Sequence, residues 1–231
     1  TRSRVSWIPD SFGFPWTLPQ IFRQLGFESF ITQKIRWNDS TELRYNAFFW
    51  EGRDGTRIFS YNPYGYTHDL DAATLVHERL EDVQRTGGHD LIVLYGVGDH
   101  GGGPTIEMLQ RAEDLRRVPT FPAMRYSHPD SAVTALRTSL GDAAFPAWND
   151  ELYLEYHRGT YTTQARQKWS LARSEALLRT AEALATFDTA SYPRQRLEGL
   201  WRRALFNQFH DILPGSSIHQ VYLDANAQYD T

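Results

Sequence analysis

Leu91-Ile92-Val93-Leu94-Tyr95 runs directly into Gly96-Val97-Gly98-Asp99-His100-Gly101-Gly102-Gly103-Pro104-Thr105, and Ile106, Leu109, Ala112 and Leu115 follow at helical spacing. An apolar run, a glycine-rich loop and an amphipathic helix make one β-loop-α unit. The pattern recurs on both sides. Upstream, Val5 to Ile8 reads as a strand delivering Pro9-Asp10 to a loop, Leu18 to Leu25 as a helix stopped by Gly26, and Phe27 to Thr32 as the next strand. Tyr45 to Trp50 and Arg57 to Tyr61 read as a hairpin turned at Arg53-Asp54-Gly55. Leu75, Val76, Leu80 and Val83 mark a helix ended by Gly87-Gly88; downstream, Phe121 to Tyr126 reads as a strand and Pro129 to Leu140 as a helix. The expected fold class is α/β. If the units close into a barrel, functional residues belong on loops after strands, where Asp10 and Asp99 both fall.

Composition changes after Trp148, so a domain over residues 1–150 and another over 151–231 are expected. Thr162 to Phe187 is rich in Ala, Leu, Arg and Glu, with Trp169, Ala172, Ala176, Leu177 and Leu184 on a helical period. Ser191-Tyr192-Pro193 breaks it. Leu197 to Phe209 and Val221 to Tyr229 give two further helices around the Pro214-Gly215 break, which makes a small three-helix bundle the expectation for this half.

The bulk chemistry excludes several classes. The 231 residues carry a formal charge of -4 without a run of one sign, which leaves no basic surface for nucleic acid. No apolar run reaches membrane-spanning length, and Thr1-Arg2-Ser3-Arg4 lacks the apolar core of a signal peptide. The chain has no Cys, so any transition metal must be held by His and carboxylate, and a cytoplasmic setting is expected. No initiator Met opens the chain, as expected of a piece of a longer protein. Asn38-Asp39-Ser40 fits the glycosylation pattern, a match common by chance.

Four segments hold residue types that do chemistry. In Trp7-Ile8-Pro9-Asp10-Ser11-Phe12-Gly13 a carboxylate stands just after a strand, suited to nucleophile, base or metal ligand; the ordinary alternative is a turn in which Asp10 bonds its own backbone. The loop from Gly96 to Thr105 reads either as a phosphate cradle, as a tight loop aiming Asp99 and His100 into a cleft, or as a plain connector. It lacks the Lys-Ser/Thr ending of a P-loop. His157-Arg158-Gly159-Thr160-Tyr161-Thr162-Thr163 is a polar-aromatic cluster or simply the cap of the following helix. In Asn207-Gln208-Phe209-His210-Asp211, His210 at a helix end suits either zinc or a capping role.

In this order the four segments resemble the glycoside hydrolase family 38 α-mannosidases, particularly the bacterial and cytosolic branch. Asp10-Ser11-Phe12-Gly13 ahead of Leu18-Pro19-Gln20-Ile21 is similar to the family's nucleophile element, Gly98 to Thr105 to its Gly-Asp-x-Gly-Gly-Gly-Pro-Thr loop, His157 to Thr162 to the opening of its middle helical domain, and His210-Asp211 to its His-Asp element. The resemblance implies a partial (β/α) barrel followed by the helical bundle. It implies Asp10 as covalent nucleophile and zinc ligand, His210 as a second zinc ligand and Asp99 as the acid/base, in a retaining double displacement on a mannose-containing oligosaccharide or glycan. Zinc would hold sugar hydroxyls. Trp50 and Tyr161 are candidates to line the sugar, with packing as their ordinary alternative.

The family's His-x-Asp pair from an early barrel strand has no counterpart before Asp10, so half the implied zinc ligands are missing from this chain. That departure keeps open a non-catalytic carbohydrate-binding or structural interaction fragment, with a nucleotide-binding α/β protein as a weaker choice. Incomplete barrel strands would expose edges, which makes self-association an expectation.

Overall fold

A computed structural model describes residues 3–87, 90–98 and 101–230. It divides into two compact units, Thr1–Tyr156 and His157–Thr231. In the first, β1 (Val5–Trp7), β2 (Gly13–Phe14), α1 (Leu18–Gln24) and β3 (Ser29–Ile31) are followed by a 3-10 turn, Lys34–Trp37. The hairpin β4 (Ala47–Glu51) and β5 (Arg57–Tyr61) leads to α2 (Ala72–Thr86), α3 (Ile106–Arg116) and α4 (Pro129–Leu140), and β6 (Ala147–Trp148) and β7 (Leu152–Tyr153) close the unit. The main sheet has the order β1-β3-β5-β4-β6, parallel at every pairing except the β4-β5 hairpin, while β2 and β7 form a separate antiparallel pair.

The sheet's two faces follow the period-2 rule of a pleated strand. Phe30, Phe48, Trp50 and Ile58 point to one side and pack with Phe14, Phe22, Ile35, Leu43 and Leu152. Ile31, Ala47, Phe59 and Tyr61 point to the other and meet Val133 and Leu136 of α4. Both faces are therefore apolar, as a mostly parallel sheet covered on each side requires.

Two expected strands are absent among the described residues. Leu91–Tyr95 enters no named strand and makes an isolated parallel bridge, His68 to Tyr95. Its Ile92 N–H donates to the Tyr61 hydroxyl at 3.0 Å and its Leu94 carbonyl accepts from His68 at 3.0 Å. Val93 and Tyr95 instead pack beside Leu70, Leu75 and Ala112, and Phe121 joins the same cluster from a segment that is also not a strand. Apolarity fixed their burial, which periodicity alone does not distinguish from pairing.

One polar clamp ties the end of this unit to the segment after the 3-10 turn. The Glu155 carboxylate accepts backbone N–H bonds from Asp39, Ser40 and Thr41 at 2.8–3.1 Å, and Asn38 Oδ1 accepts from the Glu155 N–H at 2.8 Å. The Asn38 amide nitrogen donates to Tyr153 and Thr41 carbonyls, so the side chain matched by the glycosylation pattern is engaged in the fold.

In the second unit, α6 (Arg194–Phe206) and α7 (His219–Tyr229) both pack against α5 (Ala165–Ala185). Leu171, Leu178, Leu197 and Ala204 form the core, and two amide pairs, Gln167 with Asn226 and Asn207 with Gln228, bond across it.

Candidate active site

Asp10, Lys34 and Tyr66 each stand a few residues past the C-terminal ends of β1, β3 and β5, three neighbouring strands of the parallel part of the sheet. Loops leaving adjacent parallel strands in the same direction converge, which is why α/β sites form at that edge. Backbone bonds fix the convergence. Ile8 N–H donates to Ile31, Gln33 and Lys34 N–H groups donate to the Pro9 carbonyl, and Thr32 N–H donates to Tyr61.

Within this cluster Lys34 Nζ lies 2.7 Å from Asp10 Oδ1. The Tyr66 hydroxyl donates to the same oxygen at 3.3 Å, and Lys34 Nζ donates to that hydroxyl at 3.5 Å. Because residues three apart eclipse in a 3-10 turn, the Trp37 ring comes under the Lys34 ammonium, with its centroid 3.8 Å away. Arg36 holds the turn in place by donating to the Pro63 and Asn62 carbonyls. The Lys34 side chain is 9% exposed and that of Asp10 25%, so the pair is largely dry yet the carboxylate remains reachable. Burial first, and then the negative charge of Asp10, push the Tyr66 phenol up from its ordinary value, keeping it a hydrogen-bond donor.

The glycine-rich loop abuts this cluster. A side chain at Gly98 would run into the Thr67 methyl and come within 4.0 Å of the Tyr66 ring, while Val97 N–H donates to the Gly103 carbonyl and closes the loop on itself. Asp99 and His100 lie outside the described residues.

The second unit draws its own two motifs together. Gly215 has φ +89, and a Cβ there would lie 2.8 Å from the Thr163 carbonyl oxygen. Lys168 Nζ donates to the carbonyls of Thr163 at 2.6 Å and Leu213 at 2.9 Å. The segments 157–163 and 207–217 are thereby locked side by side. His210 stacks against Phe209 with centroids 4.3 Å apart, its Nε2 is 3.9 Å from Asp211 Oδ2, and its side chain is 30% exposed. The Asp211 carbonyl accepts from Ser217 Oγ at 2.7 Å, which fixes the loop beneath it.

Comparison with known proteins covers both units. Residues 1–151 match the glycosyl hydrolases family 38 N-terminal domain, and residues 155–231 match the alpha mannosidase middle domain. The chain belongs to glycosyl hydrolase family 38. It is 38% identical to alpha-mannosidase 2C1 of Mus musculus over 97% of its own length and 22% of that protein's, and 35% identical to an alpha-mannosidase of Saccharomyces cerevisiae over 96% and 22%. It thus spans 22% of the length of these curated relatives. The fold is similar to that of an alpha-mannosidase from Enterococcus faecalis, with a TM-score of 0.75 at 18% identity, covering 100% of this chain and 28% of the other.

Of the residues the family 38 resemblance singles out, Asp10 stands in the first unit, whereas His210 and Tyr161 stand in the second, with Tyr161 58% exposed. Trp50 is corrected. It is fully buried against Phe30 and Phe14, and its indole N–H donates to the Asp150 carbonyl at 2.8 Å, so it packs the core and offers no face to a sugar. Lys34, Tyr66 and Trp37 were invisible to motif reading because their link to Asp10 runs through strand pairing.

Among the described residues no three His, Asp or Glu side chains converge to hold a metal ion. The Asp10 carboxylate is partnered by an ammonium and a phenol. The donors of this chain alone therefore do not fit a complete four-ligand zinc site.

Proposed function

We propose that this chain is the nucleophile-bearing part of a retaining α-mannosidase, with Asp10 as the nucleophile. The observation that carries the reading is the oriented, partly exposed Asp10 carboxylate at the strand edge of a family 38 domain. Asp10 attacks the anomeric carbon, Asp99 gives a proton to the leaving oxygen, and Asp99 then takes a proton from the water that cleaves the mannosyl-enzyme, so that configuration is retained. Tyr161 contributes to the sugar site. The sheet is part of a (β/α) barrel, and the second unit is a three-helix bundle.

Zinc is the metal that the family 38 resemblance implies, and Asp10 and His210 are the residues of this chain that the resemblance names as its ligands. The substrate is a mannose-containing glycan, and the protein works in the cytoplasm. Family membership supports the substrate class, and a chain without cysteine suits a reducing compartment. No helix among the described residues is long and apolar enough to cross a membrane.

The test uses the whole protein that carries this chain. A slow fluorosugar mannoside should label Asp10, identified by peptide mass mapping, and NMR of the first product should find the α-anomer. A label on another carboxylate, or β-mannose as first product, refutes the assignment.

A further inference from the structure

We propose that Lys34 is a positioning residue whose charge serves the second half of the reaction, the departure of Asp10 from the sugar; the inference rests on Asp10 being the nucleophile. The Lys34 ammonium lies 2.7 Å from Asp10 Oδ1 on a side chain only 9% exposed, so water screens the pair little. Its position is fixed by the 3-10 turn, by the Arg36 anchors, by the Trp37 face at 3.8 Å and by the Tyr66 hydroxyl. The charge is held still, as electrostatic assistance requires.

The two half-reactions use that charge in opposite ways. In the first, an Asp10 oxygen bonds to the anomeric carbon, the bond to the leaving oxygen breaks with its electron pair on that oxygen, and the carboxylate becomes a neutral ester. Lys34 loses its counter-charge in this step, so the pair favours the starting carboxylate and does not speed attack. In the second, water bonds to the anomeric carbon and gives a proton to the general base, while the ester bond breaks and its electron pair returns to Asp10. Negative charge then develops beside a buried ammonium, which lowers the barrier. Between the steps the Trp37 face and the Tyr66 hydroxyl remain to hold the ammonium.

The experiment is Lys34→Met in the whole protein, assayed with an activated aryl α-mannoside, for which the second half-reaction limits turnover. Loss of one charge-assisted hydrogen bond should lower kcat about 10- to 100-fold. Because kcat/KM reports the first half-reaction, it should change by less than about threefold, KM should fall with kcat, and the burst of aryl alcohol should stay equal to the enzyme. Lys34→Arg should recover most of kcat, since it returns the charge. A residue that merely supports the fold would lower both constants and the burst amplitude together, in proportion to the active protein lost. Equal losses in kcat and kcat/KM, or an unchanged kcat, overturn the proposal. If Lys34→Met does not accumulate as folded protein, Tyr66→Phe removes the second donor to the same oxygen and should give the same split at smaller size. Labelling of wild-type enzyme on a carboxylate other than Asp10 refutes the underlying reading instead, whatever the Lys34 variants do.

Discussion

The Asp10 cluster and the His210 loop are assembled by different physics. Asp10, Lys34 and Tyr66 come from loops separated by 24 and 32 residues and meet because β1, β3 and β5 pair in parallel register. The His210 loop is held by a close backbone approach, Gly215 against Thr163, and by a single lysine, Lys168, that spans the same two segments. The first arrangement presents a charge pair and the second an imidazole. A charge pair needs an apolar, rigid frame to keep it dry, whereas an imidazole offered to a partner needs a fixed loop and an open side.

The greatest effect should come from removing the Asp10 charge. In the whole protein Asp10→Asn is expected to lower kcat/KM by about 10⁴-fold or more, since no substrate bypasses the nucleophile. Asp99→Asn should cost far less on substrates with good leaving groups, which need little acid assistance in the first step. A comparison of the two variants on aryl mannosides of graded leaving-group acidity checks this, and equal losses across the series would remove Asp10 from its role.

His210→Ala tests the other region. Metal affinity and activity should fall together, by about 100-fold, while circular dichroism of the helices stays unchanged, because a 30% exposed side chain on a loop contributes little to the core. Full zinc content in a folded variant, read by elemental analysis, would remove His210 from the metal site.

How much of this was legible in the sequence follows the same division. The β4-β5 hairpin and α4 could be read because turn chemistry and helical period are local, and Arg57–Tyr61 and Pro129–Leu140 carry them fully. The motifs that contain Asp10 and His210 were legible as motifs. The partners of Asp10 were not, because nothing in the spacing of Lys34 or Tyr66 reveals which strands pair. Leu91–Tyr95 misled because an apolar run that fills a core looks the same whether or not its backbone joins a ladder. Trp50 misled for a related reason: an indole suited to a sugar face is equally suited to a core, and its bond to Asp150 is made across 100 residues.

A smaller effect is expected at Gly215. Its φ of +89 and the 2.8 Å approach to the Thr163 carbonyl both penalise a side chain. Gly215→Ala should therefore lower stability of the second unit by about 2–3 kcal/mol, from strain and steric displacement together. Gly55, with φ +79 and nothing within 4 Å of an added Cβ, is the control, and Gly55→Ala should cost about 1 kcal/mol from backbone strain alone. Denaturant titrations of both variants check the difference. Equal costs would mean that the 157–163 and 207–217 segments can part freely, and the local account of the His210 loop would fail.

The smallest effect concerns Glu155, and it bears on the frame of the Asp10 cluster. Glu155 clamps residues 39–41, and Asn38 directly follows Trp37, so the clamp anchors the far end of the turn that carries Lys34. Hydrogen bonds from Asp39, Ser40 and Thr41 hold its carboxyl down at about 2, against an ordinary value of 4.5. Below the ordinary value the unfolded chain binds a proton that the folded chain refuses, so the clamp's stabilisation is whole above about pH 4.5 and is lost as pH falls toward 2. Glu155→Gln keeps the shape and removes the charge. The variant should be less stable than wild type by a constant margin at neutral pH, and that margin should narrow on acidification. Urea midpoints of the two proteins, taken from roughly pH 7 down to pH 3.5, read the margin directly. Midpoints that stay parallel over the whole range would show that the three backbone bonds hold the neutral side chain as well as the charged one, and that the turn bearing Lys34 is anchored from elsewhere.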